Sequence, residues 1–301
     1  MKLILLLSIW LLAFTASSQN ISEAKRDYNW IFGRSYPPYK GSIINFNNNP
    51  ATCNFFTQHL DILNTNGSIS DTSGNLLFYT NGMFVADKNG NIMPHGDSLN
   101  FGSYYNSIMS DPVGYHGYNA TQSLIILPQP GNENHVFQII HSRLLDPYHN
   151  ALDLLNSTVS IDENNGLGDV TSKNEAYLVD TVDLGIDAVR HANGRDWWVV
   201  VSEANCSCYY LTLINPDIPL THKQCAGIST NGRGAGCHFS PDGLHFANVV
   251  ITTAKAKFKY FSFDRSVGSL TYVTEFNVPR NILWYGFAFF TKFPIYVCFY
   301  K

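Results

Sequence analysis

The densest group of ionisable side chains in this chain lies between residues 187 and 196. Its members are Asp187, Arg190, His191, Arg195 and Asp196. Grouped on one surface, such residues could transfer protons or bind a carboxylate, with Arg190 and His191 as the binding candidates. The alternative is a polar hairpin turn with Asn193 and Gly194 at its tip and its charges solvated or paired. We favour the turn, because no spacing of a nucleophile and a base is visible.

A second group is rich in sulfur. It comprises Cys206, Cys208, Cys225, Cys237 and His238. A zinc site usually begins with two cysteines separated by about two to four residues. Cys206 and Cys208 are separated by one, so disulfide chemistry is favoured over metal binding, and we expect no metal and no cofactor.

Cys208 and Cys225 are the best-placed disulfide pair. Apolar strands flank a short loop at Pro216 and Asp217, and pairing across that loop puts the two cysteines directly opposite each other. Side chains at opposite positions of two antiparallel strands come close enough for a disulfide. Cys206 and Cys237 are a weaker candidate pair. Cys53 and Cys298 have no evident partner.

A third candidate site is a tyrosine-rich loop at 94–119. Its tyrosines are Tyr104, Tyr105, Tyr115 and Tyr118. Tyrosines among Gly, Ser and Asn are typical of adaptable contact surfaces, so these residues are candidates for binding. The alternative is a loop that packs over the rest of the fold and uses its tyrosines as cover. No pair of carboxylates stands out as acid and nucleophile, and we assign no catalytic residue.

These groups are positioned by a recurring strand–turn–strand unit. Ser240, Pro241, Asp242 and Gly243 satisfy the preferences of a type I turn, and Asp71 to Gly74 does so without proline. Turn glycines recur at Gly74, Gly131, Gly194 and Gly243, at intervals of 49 to 63 residues. Propeller blades repeat at about 40–50 residues, so these intervals fit blades with loop insertions. A second hairpin usually follows each turn, which gives four strands per blade.

The predicted fold is therefore an all-β propeller with about four blades and an unfinished fifth. A fifth unit begins near Trp284, but no equivalent turn follows Phe290, so we expect a broken final blade at 281–301 in an incomplete or open propeller. The domain occupies 19–301. Open blades leave unpaired strand edges, and self-association is an expected consequence.

The N-terminus resembles a secretory signal peptide at 1–18. Lys2 precedes a short apolar run, and small residues follow it. Charged residues make up only 14% of the chain, aromatic residues also 14%, and the net charge is −4 without any basic run. This composition favours strands and excludes nucleic acid as an expected partner. We expect an exported protein with no membrane span after cleavage.

Several stretches together resemble the N-terminal β-propeller of exported, gliding-associated proteins that use type IX secretion. They are GSISDTSGNLLFYTNG at 67–82, TQSLII at 121–126, GLGDVT at 166–171 and AVRHANGRDWW at 188–198. The resemblance implies WD40-like repeats and a role at the envelope or cell surface, and implies no catalytic residue. Family members usually complete the propeller and continue into further domains, so the resemblance also suggests a truncated product.

The sequence thus favours a non-enzymatic propeller that binds an envelope protein or an extracellular glycan. One alternative is a propeller hydrolase or lyase that acts on extracellular polysaccharide. Another is a non-functional truncated gene product. Fold alone does not separate these functions, because propellers carry out both binding and catalysis.

Overall fold

The computed structural model describes most of the chain. The described residues are 25–33, 41–56, 59–111, 116–146, 151–229, 232–253, 255–279, 284–290 and 293–300. The expected signal peptide at 1–18 and Tyr115 lie outside them. Among the described residues, no helix has both the length and the apolar character needed to cross a membrane.

The described residues form six antiparallel sheets, and we call them blades 1 to 6 in chain order. Blade 1 contains β1 (Asn29–Phe32), β2 (Gly41–Asn45) and β3 (Thr52–Phe56). Blade 2 contains β4 (Gly67–Ser70), β5 (Leu76–Thr80) and β6 (Val85–Asp87). Blade 3 contains β7 (Leu124–Pro128), β8 (Val136–Leu144), β9 (Ala151–Ser160) and β10 (Asp169–Leu178).

The later blades follow the same plan. Blade 4 contains β11 (Asp187–Arg190), β12 (Trp197–Ser202), β13 (Cys208–Ile214) and β14 (Leu220–Cys225). Blade 5 contains β15 (Arg233–Phe239), β16 (His245–Ile251), β17 (Lys255–Asp264) and β18 (Ser269–Pro279). Blade 6 contains β19 (Trp284–Phe290) and β20 (Phe293–Tyr300). In the part of the chain that the structure describes, two short helical segments interrupt the strands, α1 (Ser103–Met109) and α2 (Glu163–Gly166).

The strand order confirms the propeller class. In every blade, strands that are consecutive in sequence are neighbours in the sheet, and blades 3, 4 and 5 have four strands each. The first strands of neighbouring blades lie side by side, as β4 does with β7 and β11 with β15. β11 and β15 run in the same direction, because Gly185 faces Gly236 and Asp187 faces Phe239. Such a radial meander of short sheets is a β-propeller.

Blade 1 is a feature that the turn spacing does not predict. Its first strand lies beside β4 but runs in the opposite direction. The Asn29 carbonyl accepts from Ser68 Oγ, whereas the Ile31 carbonyl accepts from Asn66 Nδ2. Residue numbers therefore rise along β1 as they fall along β4, unlike those of β11 and β15. Residues 29–56 lack a Ser-Pro-Asp-Gly type of turn, which is why the repeat pattern misses this sheet.

The predicted turns at Gly74, Gly131, Gly194 and Gly243 join the first two strands of blades 2, 3, 4 and 5. Asp71 Oδ1 accepts from the backbone N–H groups of Ser73 and Asn75 at 2.8 and 2.9 Å. Gly243 has a φ of +70°, and a Cβ atom there would come within 2.6 Å of Val189 Cγ2. Glycine is required at this position because an L side chain would be both strained and in collision.

The core lies between the blades rather than within one layer. Between blades 4 and 5, Tyr209 packs on Phe261 with ring centroids 5.2 Å apart, and Trp198 and Phe246 belong to the same buried cluster. A further cluster lines the far side of blade 5, around Phe258 and Val249. Burying each large apolar side chain stabilises the fold by about 1.5–3 kcal/mol. The interfaces between blades therefore supply much of the buried apolar surface.

Candidate functional site

The ionisable residues at 187–196 form bonds within the structure of a turn. Arg195 donates to Asp196 Oδ1 at 2.7 Å, and Asn193 Nδ2 donates to Asp196 Oδ2 at 2.7 Å. These bonds, led by those from Arg195, hold the pKa of Asp196 below its usual value. Asp187 is directed elsewhere, since its Oδ2 accepts from the Phe239 backbone N–H of blade 5. The charges are thus arranged as in the polar-turn alternative.

The two binding candidates in this turn are also engaged internally. Arg190 stacks over the ring of Trp197, 3.8 Å from its centroid, and donates to the backbone carbonyl of Arg195. Burial lowers the pKa of the Arg190 guanidinium, and the Glu133 carboxylate opposes that change. His191 Nε2 lies 3.1 Å from the Ser266 carbonyl oxygen, while its Nδ1 accepts from the Asn193 backbone.

The tyrosines of the long loop are mostly interior. Tyr104 and Tyr105 lie in α1, and both are buried, as is Tyr118. Tyr118 packs against Tyr104 at 5.1 Å, and its hydroxyl accepts from the Leu144 backbone N–H at 2.8 Å. The prediction of an exposed contact surface is therefore wrong for Tyr104, Tyr105 and Tyr118. They cover the blades because the loop folds back as a helix instead of extending into solvent.

Cys208 and Cys225 form the predicted disulfide. They are opposite partners in the β13–β14 ladder, and a disulfide joins them across a separation of 17 residues. The suggested second pair is wrong, since Cys206 and Cys237 are both free. Cys206 lies in the loop between β12 and β13, whereas Cys237 is buried in β15 of the next blade. A zinc site that needs both Cys208 and Cys225 is not formed, because their sulfurs are bonded to each other.

Cys206 instead belongs to a cluster with Glu203 and the disulfide. Its Sγ lies 3.0 Å from Glu203 Oε2 and accepts a hydrogen bond from the Cys208 backbone N–H at 3.2 Å. Lys223 Nζ lies 2.7 Å from the Glu203 carboxylate. Burial and the hydrogen bond to Glu203 raise the pKa of the Cys206 thiol.

A row of polar side chains crosses blade 5 on the face towards blade 4. Register pairs Cys237 with Asn248, Asn248 with Lys259, and Lys259 with Glu275. Lys259 is only 1% exposed, and burial lowers the pKa of its amine although Glu275 opposes the shift. Tyr209 of blade 4 reaches this row and donates to Asn248 Oδ1 at 3.2 Å. A buried lysine is rare in a protein interior unless it is paired or functional.

Blade 5 buries a charged side chain, whereas blade 1 exposes aromatic side chains. Trp30 is 48% exposed, Phe32 41% and Phe46 37%. The Trp30 ring lies 5.0 Å from Phe46 and 6.4 Å from Phe32, so the three share one face. Ile31, one residue along β1, points the other way into a cluster with Tyr79 of blade 2. We call the outward side, Trp30, Phe32 and Phe46, the aromatic face.

Sequence reasoning missed both of these features. The alternation of exposed and buried residues along β1 was visible in Trp30, Ile31 and Phe32, but no turn marked the strand. Lys259 was hidden inside an apolar strand that reads KAKFKYFSFD. It also missed Gln122, which has a φ of +46°. The side-chain amide of Gln122 bonds to both the N–H and the carbonyl of Cys237 and so ties blade 3 to blade 5.

Comparisons with known proteins recover solved propeller-like structures only. No known family profile and no curated protein matches the chain. It is similar to a Bacteroides fragilis protein with an inferred 6-phosphogluconolactonase activity, at 15% identity, over 82% of this chain and 67% of the other, with a TM-score of 0.49.

It is also similar to the periplasmic gluconolactonase PpgL of Pseudomonas aeruginosa, at 12% identity, over 87% and 76% of the chains, with a TM-score of 0.49. Kluyveromyces lactis Hsv2 is similar at 9% identity, over 91% and 87%, with a TM-score of 0.38. At these values the likenesses assign no activity, and the propeller class is established by the order of the strands in the sheets.

Proposed function

We propose that this protein is an exported, non-enzymatic β-propeller module that binds a neutral glycan at the cell envelope or surface. The observation that carries this proposal is the aromatic face of blade 1. Trp30, Phe32 and Phe46 are all more than one-third exposed on the same side of one sheet. Contiguous exposed apolar side chains on a folded domain mark interaction sites more often than random surface.

The chemistry of blade 1 favours a sugar over a charged partner. Residues 29–32 and 41–56 contain no acidic or basic side chain. Exposed asparagines follow Phe46 directly, at Asn47, Asn48 and Asn49, and the Asn47 amide bonds to the Gly74 carbonyl and to Lys25 Nζ. Aromatic rings offer large, rigid contact area for the apolar faces of sugar rings, and amide groups both donate to and accept from hydroxyls. A neutral, aromatic and amide-bearing surface therefore fits a polyhydroxylated, uncharged ligand.

Export is supported by independent features of the chain. The Cys208–Cys225 disulfide is exposed at Cys225, and disulfides persist in oxidising compartments outside the cytoplasm. The charged and then apolar N-terminus is typical of a signal peptide. The resemblance to gliding-associated proteins that use type IX secretion is consistent with a surface location, and we include that secretion route in the proposal.

The test measures glycan binding by variants of the aromatic face. Wild-type protein should be retarded in affinity gels that contain a neutral polysaccharide from a screened set. Trp30→Ala combined with Phe46→Ala should reduce that retardation at least tenfold, because it removes most of the stacking area. Phe101→Ala is the matched control, since Phe101 is 55% exposed but lies in the long loop.

Two outcomes would overturn this assignment. Binding that is equal in the double variant and the wild type would mean that the glycan lies elsewhere. A dimer in the wild type that the double variant converts to monomer, with no effect on glycans, would make the aromatic face a self-association surface.

A second candidate function is cleavage of an extracellular polysaccharide, as a hydrolase or a lyase. The specific observation in its favour is the polar row of blade 5. Lys259 is buried beside Asn248, and the Tyr209 hydroxyl of blade 4 donates to Asn248. If reducing ends are released from a polysaccharide, Lys259→Met should abolish that release and leave retardation by the same polymer unchanged. Release that persists in Lys259→Met would exclude this row as the reactive site.

A further inference from the structure

A free thiol lies beside the exposed disulfide of blade 4. The Cys206 sulfur, the Cys208 sulfur and a Glu203 carboxylate oxygen all lie within 4.8 Å of one another. Cys208 is the shared neighbour, since it is already bonded to Cys225. A thiolate attacks a disulfide at one of its sulfurs, so a thiol this close to Cys208 supplies the nucleophile for exchange within the chain.

The two cysteines of the bridge differ in their surroundings. Cys225 is the last residue of β14, the outermost strand of blade 4, and it is exposed. Cys208 is partly buried at the start of β13. Cys206 lies in the connecting loop, where Asn205 adopts a left-handed φ of +61°. Cys225 is therefore the more accessible half of the bridge.

We propose that Cys206, Cys208 and Cys225 form a thiol–disulfide exchange site that acts on disulfide-bearing partners outside the propeller. In the first step the Cys206 thiol loses its proton to solvent, and its thiolate attacks Cys208 Sγ. A Cys206–Cys208 bond forms, the Cys208–Cys225 bond breaks, and Cys225 leaves as a thiolate. These three cysteines hold one disulfide and one free sulfur before and after, so the step needs no oxidant or reductant.

In the second step the exposed Cys225 thiolate attacks the disulfide of a partner. A mixed disulfide forms at Cys225, and the partner loses one of its sulfurs as a thiolate that takes up a proton from water. Exposure selects Cys225 for this role, because access is a main determinant of the rate of exchange. The exchange thus replaces a partly buried free thiol, Cys206, with an exposed one, Cys225.

Glu203 and Lys223 act as positioning residues for the first step. The Glu203 carboxylate accepts from the thiol and favours the protonated form, whereas Lys223 favours the thiolate. Glu203→Gln should therefore shift the pH dependence of exchange to lower pH, and Lys223→Gln should shift it to higher pH. A merely structural role for these residues would change the amount of folded protein without moving the pH profile.

The experiment uses the full chain with oxidised glutathione as the disulfide probe. After incubation at pH 8 and acid quenching, peptide mapping locates glutathione and every bridge. We expect glutathione on Cys225 together with a Cys206–Cys208 bridge, and complete loss of the Cys225 adduct in Cys206→Ser. Cys53 is free and exposed, so its adduct should be equal in both proteins and reports probe reactivity.

The contrary results are equally specific. Glutathione on Cys206 with the Cys208–Cys225 bridge retained would show a simple free thiol and overturn the proposal. An adduct on Cys225 that persists in Cys206→Ser would show direct attack on the bridge and would also overturn it. Buried Cys237 should stay unmodified in all variants, which checks that the fold is intact.

Discussion

Blades 1 and 5 are built from similar apolar strands, yet they use their two faces differently. Blade 5 has buried side chains on both faces: Phe261, which packs on Tyr209 of blade 4, on one side, and Val249 and Phe258 on the other. Blade 1 is covered on the side of Ile31 and exposes Trp30 on the other. An aromatic side chain therefore contributes to stability on one blade and is available for recognition on the other. Neighbouring sheets, rather than residue type, decide which role it takes.

The largest effect should come from an aromatic residue on a covered face. Phe261 is fully buried and contacts Tyr209, Phe246 and Tyr272. Phe261→Ala should lower the free energy of unfolding by about 3–5 kcal/mol, because it removes apolar contacts and leaves a cavity. Urea denaturation followed by tryptophan fluorescence measures this change. A loss below about 1 kcal/mol would mean that blades 4 and 5 do not pack as described.

A covered histidine should make stability depend on pH. His141 in β8 is fully buried between Asn100 Oδ1, 2.7 Å from its Nδ1, and Ser157 Oγ, 2.9 Å from its Nε2. Burial first, and Arg143 second, lower the pKa of His141 from 6.5 to about 3. The folded state therefore keeps this imidazole neutral while the unfolded chain takes up a proton.

The sign of the pH effect follows directly. Above pH 6.5 both states are neutral, so His141 has no influence on the pH dependence there. As pH falls from 6.5 towards 3, stability should decrease by about 1.4 kcal/mol per pH unit for this single proton. His141→Gln should flatten that slope in denaturation curves recorded from pH 7 to pH 4. His135→Gln is the control, because His135 is exposed beside Asp162.

The smallest effect should come from the uncovered face of blade 1. Phe46→Ala should change the free energy of unfolding by no more than about 0.5 kcal/mol, since its ring is already partly in water. The same denaturation assay compares it with Phe261→Ala, the identical chemical change on a covered blade. If Phe46→Ala is as destabilising as Phe261→Ala, the aromatic face is core and the contrast between the blades fails.

Turn chemistry made part of the fold predictable from sequence. Gly243 is required by local backbone conformation, and Asp71 bonds to N–H groups only a few residues away. The pairing of Cys208 with Cys225 follows from the length of one hairpin loop, and the register of β13 and β14 bears it out. Each of these features depends on residues that are close in the chain.

The candidate sites were less predictable, for a physical reason. The sequence offers Cys206 and Cys237 as a weaker candidate pair, but they lie on different blades. Tyr104 and Tyr118 had the composition of an exposed loop, and packing of α1 against blade 3 buried them. Lys259 lay in an apolar run whose burial depends on Tyr209 and its neighbours in blade 4.

By itself, the sequence determined the all-β class, the hairpin turns and the disulfide, because hydrogen bonds and φ preferences within a few residues decide them. Only the tertiary structure decided which faces are covered. It buried Lys259 between two blades, left Trp30 in water, and placed the Cys206 thiol against a disulfide. Contacts between blades join residues far apart in the chain, and no local pattern of residue types encodes them.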